Sequence, residues 1–265
     1  MVGSEDRWIA TLRGRIFARM WRPRIETGQA PIILFHDSLG CIEIWRSFPK
    51  ELAQASGRVV IAYDRLGFGR SDRRSDRLDF NFVGEEAESV VPQLREQLGF
   101  DRFIAFGHSV GGGMAAHCAA LHGETCDALV TESAQAFVED RTREGILEAK
   151  AQFAQAEVFE KLRRFHGDKA RWVLDAWIDT WLSPDFADWS LAGVLPQVTC
   201  PVLIIHGDED EYGSTRHPEI IARGVRGPSE LAIMSGAKHI PHREREREVA
   251  ERVAAFLRAQ SGGQG

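Results

Sequence analysis

The residues best placed to do chemistry centre on Ser109, in the pentapeptide Gly107-His108-Ser109-Val110-Gly111. The apolar run Phe103-Ile104-Ala105-Phe106 leads into it, and the small residues Gly112, Gly113, Ala115 and Ala116 follow. A strand turning sharply into a helix with serine at the tip is a nucleophile elbow. The flanking glycines suit a turn so tight that a Cβ would crowd the neighbouring backbone. The strain would lift the hydroxyl clear of the sheet at the positive end of a helix dipole. Serine is a weak nucleophile near neutral pH and needs a histidine base, which in turn needs a carboxylate to fix its tautomer. Two later strand ends supply these types in the order serine, acid, histidine. After Val202-Leu203-Ile204-Ile205 come Asp208, Glu209 and Asp210; after Leu231-Ala232-Ile233-Met234 comes His239.

Acyl transfer also needs two backbone N–H groups aimed at the developing oxyanion. Val110, the residue after the nucleophile, offers one. The loop after Pro31–Phe35 should offer the other, and Ser38 is the candidate. Asp37 stands beside it, and a carboxylate facing an oxyanion would oppose it, so Asp37 is expected to point away, the alternative being that it receives a cationic group of the substrate. His108, Trp177, Trp181 and Ile240 are candidates for the substrate pocket, and His242 for a structural or pocket-lining role. Trp177 and Trp181 are four residues apart and share a helix face.

These residues must be positioned by a scaffold. Trp8 to Trp21 reads as two strands around a turn at Gly14. Runs at 31–35, 58–63, 103–107, 128–131, 202–205 and 231–234 lack polar alternation, as central parallel strands do. Helical spacing lies between them, at Val90, Val91, Leu94 and Leu98 and again at Val249, Val253, Phe256 and Leu257. Alternating strands and helices predict an α/β fold with a mostly parallel, doubly wound sheet. From 136 to 195 strand signals stop, and four of the seven tryptophans fall there. This predicts a helical cap inserted after the sixth strand, over a core of residues 1–135 and 196–260, with a disordered tail at 261–265. The turn from Asp64 to Ser71 is expected to bind the sheet edge together. The charge run Arg243 to Glu248 is expected to be a solvated helix face.

The chain has 265 residues, 43% apolar and 27% charged, with a formal net charge of −6. One globular domain with an insertion fits this length. The acidic balance argues against a nucleic-acid partner, and no apolar run is long enough to span a membrane. The polar start Met1 to Arg7 is unlike a secretory signal. Four scattered cysteines and nine histidines show no metal-ligand spacing. The expectation is a cytoplasmic protein with reduced thiols, no metal and no cofactor, acting on a small ester-like molecule. A homo-oligomer is left open.

The motifs together resemble the α/β-hydrolase superfamily. They are His36-Asp37-Ser38-Leu39-Gly40, Asp64 to Ser71, Gly107 to Gly111, Gly207-Asp208-Glu209-Asp210 and Lys238-His239-Ile240-Pro241-His242. The segments Pro196 to Gly207 and Lys238-His239 are similar to the valacyclovir-hydrolase-like carboxylesterases. The resemblance implies Ser109 as nucleophile, His239 as base and Asp210 as acid, since Gly-x-x-Asp is the family's spacing there. Asp208 and Glu209 stay open as alternatives, and so does Glu132, where some relatives carry the acid. Two positions depart from the pattern. Val110 replaces the acidic residue with which the valacyclovir-hydrolase-like enzymes hold an amine. Asp37 stands where relatives have glycine, and the loop differs from the His-Gly-Gly-Pro-Gly of proline iminopeptidases. Serine at the elbow also separates the chain from epoxide hydrolases and haloalkane dehalogenases, which use aspartate. The implied reaction is hydrolysis of a small carboxylic ester or lactone. Thioesterase, perhydrolase and C–C bond hydrolase activity use the same residues, and a ligand receptor of the same fold is the alternative without turnover.

Overall fold

The computed structural model describes residues 2–261. Eight strands form one sheet: β1 (Gly3–Thr11), β2 (Gly14–Arg22), β3 (Ile32–Phe35), β4 (Val60–Asp64), β5 (Phe103–His108), β6 (Cys126–Glu132), β7 (Val202–Gly207) and β8 (Ser229–Met234). Their order is β1-β2-β4-β3-β5-β6-β7-β8. The pairs β1–β2 and β2–β4 are antiparallel and the others parallel. The helices are α1 (Phe48–Ser56), α2 (Phe82–Glu85), α3 (Val91–Leu98), α4 (Val110–Leu121), α5 (Asp140–Phe153), α6 (Ala156–His166), α7 (Ala170–Trp181), α8 (Arg216–Gly224), α9 (Pro241–Glu244) and α10 (Glu246–Ser261).

Alternation along the central strands builds three layers. Ile33, Phe35, Phe103 and Ala105 face Leu94 of α3 and Met114 of α4. Ile32, Leu34, Ile104 and Phe106 face Phe48 and Leu52 of α1 with Val253 and Phe256 of α10. With both faces covered, β3, β4, β5 and β7 are buried along their whole length. β8 departs from the expectation of a central strand. It is the edge of the sheet, and Leu231 and Ile233 stay exposed there.

Crossovers leave β3 toward β4 on one side and β5 toward β6 on the other. The crevice between β3 and β5 is therefore the switch point where open sheets of this kind bind ligands. Register brings the strand ends level, with Phe35 beside Gly107, Gly107 beside Thr131, and Gly207 beside Met234. The loops after β3, β5, β6, β7 and β8 consequently open on one rim.

Between β6 and β7 the chain is helical, carrying α5, α6 and α7. Trp181 is buried there against Phe186 and Trp189, with ring centroids 5.4 and 5.7 Å apart. The buried His166 at the end of α6 ties this segment to the sheet. Its Nδ1 accepts the Gly69 N–H at 2.9 Å, and its Nε2 donates to the Leu39 carbonyl at 3.0 Å. Burial drives its pKa down to about 4, which keeps Nδ1 free to accept.

The turn after β4 is structural, as expected. The Asp64 carboxylate accepts the Ile42 and Arg70 N–H groups at 2.7 Å each, and Ser71 links β4 to β2. The charge run is not one helix face, since the backbone leaves helical geometry at Arg245 and separates α9 from α10. Of the tail expected to be disordered, Ser261 closes α10 and residues 262–265 lie outside the described residues. All four cysteines are free and buried. Among the described residues no helix is long and apolar enough to cross a membrane.

Candidate active site

Ser109 sits between β5 and α4 with φ 57° and ψ −127°, a conformation most non-glycine residues avoid. Its N–H is fixed by the Glu132 carbonyl at 2.9 Å. The glycines beside it are required by close approach. A Cβ on Gly107 would lie 1.9 Å from the Gly111 carbonyl oxygen, and one on Gly111 would lie 2.1 Å from that of Phe35. Backbone on both sides cannot yield cheaply. Gly111→Ala is therefore expected to cost about 3 kcal/mol or more of stability, read as a lower midpoint in urea unfolding.

The loops after β7 and β8 bring the other two residues to the serine. His239 Nε2 lies 3.1 Å from Ser109 Oγ, and His239 Nδ1 lies 2.9 Å from both Asp210 oxygens. An ionised carboxylate only accepts, so Nδ1 carries the proton and the Nε2 lone pair faces the hydroxyl. Burial pushes the Asp210 carboxyl up, but the charge and hydrogen bonds of His239 outweigh it and hold Asp210 below the ordinary carboxylate range. The Tyr212 and Gly213 N–H groups also donate to it.

The competing acids are engaged elsewhere. Asp208 accepts the Gly236 N–H at 2.6 Å, and Glu209 contributes only its backbone to the turn. Glu132 faces away from His239 and pairs with His242, accepting its N–H at 2.8 Å and its Nδ1–H at 2.5 Å.

The candidate oxyanion donors flank the hydroxyl. Val110 is the first residue of α4, where the N–H has no intrahelical partner. Ser38 lines the same cavity as Ser109, and its N–H has no hydrogen-bond partner among the described residues. Its loop is pinned on three sides. His36 Nδ1 and Arg65 donate to the Asp37 carbonyl at 2.8 Å each, the Arg65 N–H donates to His36 Nε2 at 3.1 Å, and His166 holds Leu39.

A cavity of about 220 Å³ opens over Ser109. His108, Trp177, Trp181 and Ile240 all line it, as the sequence led us to expect. His242 does not; it is buried behind the wall with its ring 4.6 Å from that of Trp45. Asp37 corrects the expectation that it would turn clear of the site. It lines the cavity, with Oδ1 accepting the Leu39 N–H at 2.8 Å and Oδ2 3.5 Å from His108 Nδ1. The loop closes this way because His108 beneath it offers a compensating charge. Sequence reasoning missed several lining residues, Leu39, Ile44, Thr142, Ile146 and Tyr212 among them, and two more are polar groups of consequence. Gln135, just past β6, places Oε1 3.3 Å from Ser109 Oγ. Arg243 projects from α9 into the cavity wall, where its place in a charge run had pointed to solvent.

Below the cavity lies a second set of titratable groups. His108 Nε2 donates to the His239 carbonyl at 2.8 Å. Burial disfavours its charged form, but Asp37 and Glu132 outweigh this and raise its pKa. Burial likewise pushes Glu132 up, and the charges and hydrogen bonds of His242 and His108 overcome it, holding Glu132 low. His108, Glu132 and His242 bring ligating atoms within 4.8 Å of one another. Those of Glu132 and His108 are already committed to the hydrogen bonds just described. Burial also lowers the His242 pKa, so Glu132→Gln should cost about 2 kcal/mol by weakening the acceptor that the buried His242 N–H and Nδ1–H share. A carboxyl held low stabilises the fold above its unfolded pKa and loses that contribution on acidification. The gap between the two proteins in urea unfolding should thus be full at pH 7 and shrink below about pH 4.3.

The family described as alpha/beta hydrolase fold matches residues 30–170. The serine hydrolase BPHL of Homo sapiens is 30% identical over 225 residues, covering 81% of this chain and 75% of that protein. A proline iminopeptidase of Lactobacillus delbrueckii subsp. lactis is 34% identical over 89 residues, which span 34% of this chain and 30% of that relative's length. Among solved structures, a proline iminopeptidase of Mycobacterium smegmatis superposes with a TM-score of 0.77 at 19% identity, covering 98% of this chain and 100% of the other. Carboxylesterase CesB (YbfK) of Bacillus subtilis does so with a TM-score of 0.72 at 18% identity, covering 96% and 92%. At such identities the two structures speak for the fold alone, whereas the family match and the human relative extend over more than half of the sequence. The chain belongs to the α/β-hydrolase family.

Proposed function

We propose that this protein hydrolyses a small carboxylic ester or lactone through an acyl-enzyme on Ser109. The observation that carries the reading is the buried chain of contacts from Asp210 through His239 to the Ser109 hydroxyl. Ser109 Oγ attacks the acyl carbon while His239 Nε2 takes its proton. Asp210 stays ionised and stabilises the imidazolium. The tetrahedral oxyanion rests on the Val110 and Ser38 N–H groups, a contribution worth about 10²–10³ in rate per donor. The intermediate collapses, and His239 returns the proton to the departing alcohol. Water then attacks the acyl carbon, giving its proton to His239. The acid leaves, and Ser109 regains its proton. Every step is served by side chains and backbone of this chain.

The human serine hydrolase, at 30% identity, supports the reaction class, and the cavity of about 220 Å³ supports a small substrate. The test is steady-state hydrolysis of p-nitrophenyl esters of increasing acyl length, beside acyl-CoA thioesters and proline β-naphthylamide. The reading expects turnover of short esters. Cleavage of the thioester or the amide with none of any ester would overturn it.

A further inference from the structure

Among the described residues, Arg243 lines the cavity as a cation without a partner. Its guanidinium has no hydrogen bond or ion pair among the described residues. The other arginines of the same charged run are engaged. Arg245 donates to the Ser235 carbonyl at 2.5 Å and lies 3.7 Å from Glu248, while Arg247 pairs with Glu251 at 2.8 Å. Glu244, the adjacent acid, spends its carboxylate on the Lys238 and Ile240 N–H groups at 2.9 and 3.3 Å. Asp37, the acid in the cavity wall, has both oxygens turned to the Leu39 N–H and His108. Nothing on α9 or across the cavity neutralises Arg243 at contact distance.

The surroundings add to its positive field. Burial lowers the Arg243 pKa first, and the nearby Arg46 lowers it further, against a weaker pull from Asp37. Arg46 is exposed, with no side-chain partner of its own among the described residues. Leu39, Ile44, Trp177 and Trp181 give the same cavity an apolar lining. A half-buried, unpartnered guanidinium beside apolar lining is suited to receive an anion, since its planar fork matches a carboxylate.

We propose that Arg243 receives a carboxylate of the substrate, so that the preferred substrates are acidic esters such as half-esters of short dicarboxylic acids. This rests on Ser109 as the reacting centre. The hydrocarbon between ester and carboxylate would lie along the two tryptophans.

The test is binding, so that it does not depend on turnover. In the Ser109→Ala protein, tryptophan fluorescence follows titration with monoethyl glutarate, ethyl hexanoate and the ethyl ester of γ-aminobutyric acid. The half-ester should bind about 10- to 100-fold more tightly than the neutral ester. Adding Arg243→Gln should erase that preference, acting far more on the half-ester than on ethyl hexanoate, and Arg243→Lys should restore part of it. Thermal melts of each variant check that the fold is kept. Equal binding of all three esters, tighter binding of the cationic ester, or a preference that survives Arg243→Gln would each overturn the proposal. The two readings fail separately. Ser109-dependent turnover of neutral esters without any charge preference removes the acidic substrate and keeps the hydrolase. A charge preference lost with Arg243, in a protein that turns over no ester, keeps the anion site and removes the hydrolase.

Discussion

Ser109→Ala is expected to lower kcat for ester hydrolysis by a factor on the order of 10⁶, and His239→Ala to cost about as much. The double variant should be no worse than either single one. The reason is geometric. The hydroxyl and the imidazole meet at 3.1 Å, and in the proposed reaction they act as one unit, so either loss removes the same pair. The residual rate would come from the cavity and from the Val110 and Ser38 N–H groups, which neither change touches. Steady-state kinetics on a short p-nitrophenyl ester checks this. A Ser109→Ala protein within tenfold of the unaltered one, or losses that multiply in the double variant, would contradict it.

Asp210→Asn should lower kcat about 10⁴-fold with little effect on KM. Both Asp210 oxygens lie 2.9 Å from His239 Nδ1, and the carboxylate is held ionised within the fold. An amide there can donate to Nδ1, which would place the imidazole proton on Nε2 and leave no lone pair for the serine. The contrast with Glu132→Gln is informative because both are buried carboxylates paired with histidines. Glu132 meets His242, behind the cavity wall, so its loss should appear in unfolding rather than in kcat of the folded protein. Parallel kinetics and urea unfolding of the two variants separates them. A Glu132→Gln protein that keeps its stability and loses 10⁴ in kcat would transfer the acid role to Glu132.

Ser109, His239 and Asp210 were legible because each lies just past a strand, and parallel strands of similar length end on one rim. The glycines of the elbow were legible because a tight turn leaves one solution. What the sequence hid depends on how the chain folds after those strand ends. Arg243 looked like one charge among many in Arg243 to Glu248. Only the break at Arg245 turns α9 away from α10 and sets that side chain against the cavity. Gln135 carries no periodic signal, since it sits in the irregular turn after β6 next to Ser133, which has a φ of 48°. Asp37 was expected to turn away from an oxyanion, but one elbow residue, His108, supplies the charge that holds it in the wall. β8 read as a central strand because its apolar residues run without interruption, and sequence alone does not say which strand forms the rim.

The most direct measurement is of the covalent intermediate itself. The protein is mixed with a slowly deacylating p-nitrophenyl ester, quenched in acid during turnover, digested and analysed by mass spectrometry. The account predicts the acyl mass on Ser109, in the peptide that contains Gly107 to Gly111, and on no other residue in proportion to turnover. Sustained hydrolysis with that peptide unmodified and the acyl group on another side chain would contradict it.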